Sequence, residues 1–246
     1  MRGMCFFLLA ISLLRCSPSG KGEPVPPSGS EPTGPGRGNL EGVVRWEGGQ
    51  APSPTSVRNT TDPESCGAVQ SLEDLLVSPE TGGIQNVILA LDGVPPEQVP
   101  PFRPRPLRLD NRDCRFHPHA GVLETGAVIE ITNGDPFHHT THFYGTLEAN
   151  VSLPFQGMTV RKTASSAGMI VVKCDLHGWM QAFLRVDPHP YHAVTGPDGS
   201  FRIPDIPAGT YGLEIWHERL GASQGSVTIE TGKTQSLEIP LSPRER

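Results

Sequence analysis

Glycine and proline divide this chain into short segments. The 246 residues include 28 glycines and 26 prolines, and aromatic residues make up only 6% of the total. Both residue types interrupt helices, and proline is also excluded from the interior of a sheet. Such a composition favours short strands joined by many turns. We therefore predict an all-β chain, in which residues 64–76 are the only weak helical candidate.

The first sixteen residues are typical of an export signal. Arg2 precedes an apolar run from Cys5 to Leu14, which is too short to span a bilayer as a stable helix. The run leads into Cys16 and resembles a bacterial lipoprotein signal, which implies a signal peptide over residues 1–16 and lipidation at Cys16. Arg15 stands where that pattern has a small residue, so an ordinary cleaved signal or a short uncleaved anchor are the alternatives. We expect an exported protein of the periplasm or cell envelope, tethered to a membrane.

A linker is predicted after the signal. Residues 17–39 are rich in proline, glycine and serine and contain almost no apolar side chains. A segment of this composition cannot bury a core and is expected to be disordered. It would hold a folded body away from the membrane surface.

Export changes what the cysteines imply. With Cys5 and Cys16 assigned to the signal, Cys66, Cys114 and Cys174 remain. Three is an odd number, so one thiol is either free or bound to something. If Cys66 and Cys114 form a disulfide, Cys174 is the one left over. Two reduced thiols, or a metal partnership with His117, are the alternatives for that pair.

Two β-rich units are predicted beyond the linker. Residues 126–135 alternate clearly, with Ile129 and Ile131 on one face, and residues 168–174 form the most strand-like run in the chain. After residue 188 come short strands with Asp-Gly and Pro-Ala-Gly turns. That region is similar to the carboxypeptidase regulatory-like domain, which implies a small antiparallel β-sandwich. The expected domains are residues 40–187 and residues 188–246.

The richest chemistry lies directly after the strand at residues 168–174. Cys174, His177 and Met180 fall within seven residues, and a thiolate, an imidazole and a thioether are soft metal ligands. A blue-copper site combines two histidines and a cysteine with a weak axial methionine, so one more histidine is needed. His138 and His139 follow the strand at residues 126–135 and can supply it.

This pattern resembles the cupredoxins, specifically the short-loop amicyanin-like group. The resemblance covers roughly residues 42–186 and implies a Greek-key cupredoxin β-sandwich. It also implies one mononuclear type 1 copper bound by His139, Cys174, His177 and weakly by Met180, with His138 as the rival first ligand. The family has an asparagine after the first histidine, where this chain has Thr140.

Other features of the sequence leave alternatives open. His117 and His119 could bind a second metal or lie on a solvated loop. Trp179 could form an apolar patch around an exposed edge of His177, or pack between the two domains. His217 is expected at a strand end or a domain interface.

The expected function is electron transfer without catalysis. The net charge of −6 and the lack of a basic face argue against nucleic-acid binding, and the sequence shows no hydrolase triad or phosphate loop. We predict an exported carrier of single electrons that docks with a redox partner protein through His177. A copper delivery or storage protein, or a metal-free adhesion module, is the alternative; copper-delivery proteins tend to be rich in methionine or histidine, and this chain has only five methionines.

Overall fold

The structure of the protein is a computed structural model that describes residues 36–243. The predicted signal peptide, the lipidation site at Cys16 and most of the predicted linker lie outside the described residues. Residues 37–39, at the end of the predicted linker, lie within the described residues and belong to the first strand. They are ordered because they pair with two other strands, one on each side.

Strands dominate the described residues, and two short helices accompany them: a single-turn helix α1 (Pro63–Cys66) and a 3₁₀ turn (Pro96–Gln98). The strands, in chain order, are β1 (Arg37–Trp46), β2 (Ser56–Arg58), β3 (Val69–Ser71), β4 (Ile88–Asp92), β5 (Leu107–Arg112), β6 (Arg115–His117), β7 (Ala120–Glu124), β8 (Val128–Asn133), β9 (His139–Gly145), β10 (Ala149–Leu153), β11 (Thr159–Thr163), β12 (Gly168–Lys173), β13 (Gln181–Asp187), β14 (His192–Val194), β15 (Ser200–Pro207), β16 (Gly209–His217), β17 (Gly221–Ile229) and β18 (Thr234–Leu241).

Strands β5–β13 form a sandwich that we call the central sandwich. One sheet has the order β10-β9-β12-β13-β7 and the other the order β11-β8-β5-β6. Their inner faces share one apolar core, in which Ile129 and Ile131 of β8 and Ile170 and Val172 of β12 are fully buried. The alternation predicted for residues 126–135 is therefore confirmed, since both isoleucines face the core.

A second sandwich, the flanking sandwich, combines strands from both ends of the chain. Its sheets have the orders β15-β1-β18 and β14-β4-β16-β17. Strand pairing thus crosses the expected boundary at residue 188, because β1 and β4 precede it. The pairing of β1 with β18 is parallel, so the ladder differs there from the antiparallel sandwich that the sequence suggested. Leu40 and Val44 of β1 are fully buried in this core, which explains why β1 joins it.

The two sandwiches touch through a small apolar cluster and several polar contacts. Ile88 of β4 meets Ala120 of β7 and Phe183 of β13 in that cluster. Beside it, Arg185 of β13 lies 2.6 Å from the Glu214 carboxylate of β16. The described residues therefore form one compact unit.

The predicted fold class, all-β with sandwich architecture, is confirmed. The helical candidate at residues 64–76 was wrong beyond its first turn, because Gly67 adopts a φ of 84° and ends α1 after Cys66. The chain then enters β3. Between residues 36 and 243, neither helical segment has the length and apolar character needed to cross a bilayer.

His217 ends β16, at the strand end that the sequence predicted, and is 1% exposed. Its Nδ1 accepts a hydrogen bond from the Arg219 amide, and its Nε2 has no hydrogen-bond partner within the described part of the chain. Burial, with the nearby His119 as a second cause, lowers the pKa of His217 to about 4. The folded protein thus keeps this imidazole neutral at mildly acidic pH.

We expect His217 to make the folded state sensitive to acid. Between about pH 6.5 and pH 4 the unfolded chain protonates this histidine and the folded chain does not, so stability falls as the pH falls through this window. The loss at the acid end is on the order of 3 kcal/mol. Urea unfolding at pH 7 and pH 4.5 should show a smaller pH dependence for His217→Gln than for the wild type. The exposed His138→Gln control should match the wild type, and equal pH dependence in all three proteins would contradict the expectation.

Candidate metal centre

Three donor atoms from two separate segments of the chain meet inside one end of the central sandwich. The Nδ1 atoms of His139 and His177 lie 3.1 Å apart, and the Cys174 sulfur lies 3.6 Å from His177 Nδ1 and 4.0 Å from His139 Nδ1. All three side chains are buried. Within residues 36–243, this is the one group of three or more histidine, cysteine, aspartate or glutamate residues that lie close enough to share a metal ion.

The sheet explains why these residues meet. Strands β9 and β12 are antiparallel neighbours, with Lys173 opposite His142. The start of β9, where His139 lies, is therefore beside the end of β12, where Cys174 follows. The loop from β12 to β13 then returns over the same point. It is closed by two backbone hydrogen bonds, from the Cys174 amide to the Met180 carbonyl and from the Met180 amide to the His177 carbonyl.

Each imidazole is fixed from its far side by a carboxylate. His139 Nε2 lies 2.8 Å from Asp135, and His177 Nε2 lies 3.0 Å from Asp62. Since an ionised carboxylate only accepts hydrogen bonds, both Nε2 atoms carry the proton. The Nδ1 atoms are then free to act as ligands, and such carboxylate–histidine pairs orient metal ligands in many proteins.

Asp135 is itself held in place by the turn before β9. Its carboxylate accepts hydrogen bonds from the amides of Asp113 and Cys114, at 2.9 and 3.0 Å. The fully buried Asn133 accepts a bond from the Asp135 amide and donates to the carbonyls of Phe137 and Leu153. The turn Asn133-Gly134-Asp135-Pro136 therefore aims Asp135 at His139, a role that no sequence signal indicated.

Asp62 reaches the site from a different direction. It lies just before α1, and the last residue of that helix, Cys66, forms a disulfide with Cys114. The predicted disulfide is thereby confirmed, and Cys174 is the free cysteine among the described residues. No sequence signal pointed to Asp62, which is separated from His177 by more than a hundred positions.

The expected exposure of His177 was wrong. This residue has no solvent-accessible surface, because Asp62 closes its Nε2 side and the Phe137 and Trp179 rings pack beside it. Trp179 donates its Nε1–H to the Cys114 carbonyl and packs against the central core. It therefore belongs to the wall of the site, and it does not rim an exposed imidazole.

The surroundings of Cys174 favour the thiolate. Burial alone would raise its pKa, but the contacts of its sulfur with His139, His177 and the Thr140 amide lower the pKa to about 5. Burial also works against a charged His177, yet its contacts with Cys174 and Asp62 raise its pKa above the ordinary value. A metal ion that binds there would compete with protons for the same donor atoms.

Thr140 connects the two ligand-bearing segments. Its hydroxyl accepts a hydrogen bond of 2.7 Å from the Asp175 amide, next to Cys174, while its own amide points at the Cys174 sulfur at 3.5 Å. Thr140, at the position where the resemblance implied an asparagine, thus joins the two segments.

Removing the Thr140 hydroxyl should loosen this tie. We expect Thr140→Val, which keeps the shape but cannot accept the Asp175 amide, to lower the free energy of unfolding by about 1 kcal/mol. Thr140→Ser keeps the hydroxyl and should remain closer to the wild type. Urea denaturation of the three proteins measures the difference, and a Val variant as stable as the Ser variant would show that the tie contributes nothing.

The remaining predicted residues have other surroundings. Met180 is 2% exposed and packs in the same core cluster as Cys174. The rival ligand His138 is exposed and contacts Ser152. His142 contacts Asp175 and stacks on Tyr144.

The pair His117 and His119 does not form a metal cluster among the described residues. His117 contacts the Arg112 carbonyl, and the buried His119 pairs with Glu218 of the flanking sandwich. The first residue of this pair therefore lies at a strand end, and the second helps to join the two sandwiches.

The donor set fits a copper ion. Two imidazole nitrogens and one thiolate sulfur form the soft combination that copper prefers. The two Nδ1 lone pairs face each other across 3.1 Å beside an anionic sulfur, an arrangement that a cation would stabilise. The residues present thus meet the requirements for such an ion.

Comparisons with known proteins give partial matches. The family described as Polysaccharide lyase family 4, domain II matches residues 162–237, which is less than a third of the chain. None of the curated proteins matches the chain.

Similar solved structures cover about a third of the chain. They include the copper-containing nitrite reductase of Thermus scotoductus SA-01, with 22% identity, 33% of this chain, 22% of that chain and a TM-score of 0.30. A methionine-to-alanine mutant of amicyanin in its Cu(I) form gives 21% identity, 33% of this chain, 81% of that chain and a TM-score of 0.29. A purple cupredoxin of Nitrosopumilus maritimus gives 16% identity, 32% of this chain, 98% of that chain and a TM-score of 0.30. At these TM-scores the likenesses carry no argument.

Proposed function

We propose that the protein carries single electrons with one type 1 copper ion. The observation that carries this proposal is the convergence of His139 Nδ1, His177 Nδ1 and Cys174 Sγ within 4.8 Å of one another in a buried site. Met180, three residues beyond His177 and buried in the same cluster, is proposed as the weak fourth ligand. The cupredoxin class of sandwich is part of the same proposal.

The chain would contribute rigidity to this function. Copper bound there would supply a one-electron couple between its two common oxidation states. Asp62 and Asp135 hold the imidazoles from outside, and Thr140 holds the segment of Cys174. Ligands fixed in this way have little freedom to move when the charge of the site changes.

We propose electron transfer without catalysis because the site offers no room for a substrate among the described residues. All three donor side chains are buried, at 0 to 3% exposure, and Asp62 closes the approach along His177 Nε2. A catalytic metal keeps an open position for the reacting molecule. The arrangement here favours a closed site.

The electron would leave toward a redox partner protein by a short covalent path. Asp175 is bonded directly to Cys174 and is exposed, so one peptide link joins the ligand to the surface. Its carboxylate contacts His142, which stacks on the exposed Tyr144. We propose this surface as the partner side, in place of the His177 edge.

The setting remains a proposal drawn from the sequence. An exported protein with a lipid at Cys16 would hold the electron-carrying body near a membrane. Such a location would allow exchange with partner proteins in the periplasm or cell envelope.

We expect the purified protein to become intensely coloured when Cu(II) is added. A thiolate bound to Cu(II) gives a strong visible charge-transfer band, so Cys174→Ser and His139→Ala should abolish that band. His138→Ala should keep it, because His138 is directed at Ser152 and not at the site. Visible absorption during a copper titration is the measurement.

Two other results would contradict the proposal. Copper binding without the visible band would favour a delivery or storage protein. No copper binding by a folded protein would favour a metal-free adhesion module.

A further inference from the structure

A separate segment of the chain covers His177. This segment, which we call the cover hairpin, runs from Ser56 to Ser71 and comprises β2, α1 and β3. Within the described part of the chain, strands β2 and β3 pair only with each other. At the tip of the hairpin, Asp62 places its carboxylate over His177 Nε2, and about half of the Asp62 side chain faces solvent.

The cover hairpin has almost no apolar attachment to the rest of the described residues. None of its apolar side chains belongs to the buried core there, and Val69 is 63% exposed. Its two buried residues, Asn59 and Gln70, are polar and bond to carbonyls inside the hairpin. Hydrophobic burial, which is the usual source of stability for a packed element, is therefore missing here.

A few contacts attach the cover hairpin to the central sandwich. At its tip the disulfide joins Cys66 to Cys114, and Asp62 contacts His177. At its base the Arg115 side chain donates to the Ser71 carbonyl at 2.9 Å. Removing one of the contacts at the tip should let this part of the hairpin move away from His177 while both sandwiches remain folded.

The Cys66–Cys114 disulfide is next to both carboxylates that orient the histidines. On one side Cys66 ends the helical turn that Asp62 begins, and the Cys66 amide donates to the Asp62 carbonyl at 2.8 Å. On the other side the Cys114 amide donates to the carboxylate of Asp135. A single covalent bond thereby connects the supports of His177 and His139.

We propose that Asp62 is a positioning residue and that the cover hairpin, tethered by the Cys66–Cys114 disulfide, closes the site against solvent and small external ligands. This deepens the proposed function, on which it rests for the identity of the ion. The closure itself is a property of the chain and can be measured without any metal. It accounts for a histidine that lies in a loop at the end of the sandwich and yet has no accessible surface.

Chemical modification of histidines in the metal-free, oxidised full chain tests the closure. Diethyl pyrocarbonate reacts with accessible neutral imidazoles, and at about pH 8 an exposed histidine is neutral. Peptide mapping by mass spectrometry then gives the rate for each histidine, with the exposed His138 as an internal reference. In the wild type, His177 should react at least about tenfold more slowly than His138, as expected when reaction requires a local opening.

Two variants and one control show which contacts keep the cover hairpin closed over His177. Asp62→Ala removes one charge-assisted hydrogen bond and should accelerate the reaction of His177 about tenfold or more. Cys66→Ser with Cys114→Ser keeps Asp62 but releases the tether, and it should also accelerate the reaction. Glu64→Ala removes an exposed carboxylate two positions away, which contacts no histidine among the described residues, and should leave the rate unchanged.

The outcomes separate the parts of the proposal. With the fold verified by circular dichroism, an unchanged rate in Asp62→Ala overturns the role of Asp62, and an unchanged rate in the double serine variant overturns the tether. If the double variant does not fold, Asp62→Ala still decides whether the site is closed. Added azide should alter the copper spectrum of Asp62→Ala and leave that of the wild type unaltered. Failure to bind copper would count against the proposed function, but the histidine reaction rates would still test the closure.

Discussion

Leaving a ring nitrogen of a fully buried imidazole without a partner is costly, and the arrangement of the site reflects how this cost is avoided for His139 and His177. His139 and His177 have no accessible surface, so neither can use water for this purpose. Each places Nε2 on a carboxylate, and the remaining nitrogen faces the Cys174 sulfur and the other imidazole. The positions of Asp135 and Asp62 therefore determine which nitrogen is free and where it points. These two carboxylates are held in position by the turn at Asn133, the disulfide and the cover hairpin.

The sequence was most informative where the chemistry is local. Cys174, His177 and Met180 lie in one loop after a strongly patterned strand, and their residue types alone suggested a soft metal site. The segment after the alternating strand offered several histidines as the further ligand, and the resemblance to the cupredoxins selected His139. The fold class could be predicted as well, because glycine, proline and alternating apolar residues determine strands over short distances.

The parts that could not be predicted depend on long-range pairing. Nothing near Asp62 indicates that it will contact a residue more than a hundred positions later, and nothing in β1 indicates that its neighbours are β15 and β18. The exposure of His177 was inferred from the ligand loop alone, and the loop does not reveal what covers it. A strand pattern specifies which face is apolar, but several partner strands can satisfy the same face.

The placement of β1 has a mechanical consequence. This strand lies between β15 and β18, and its ladder with β18 is parallel over eight residue pairs. A force applied to the chain before Arg37 would act along the strand and load the hydrogen bonds of both ladders in shear. That load would enter the flanking sandwich, while β9, β12 and the loop before β13 lie in the other sandwich. The candidate metal centre thus lies outside the ladders that tension on the N-terminal side would load.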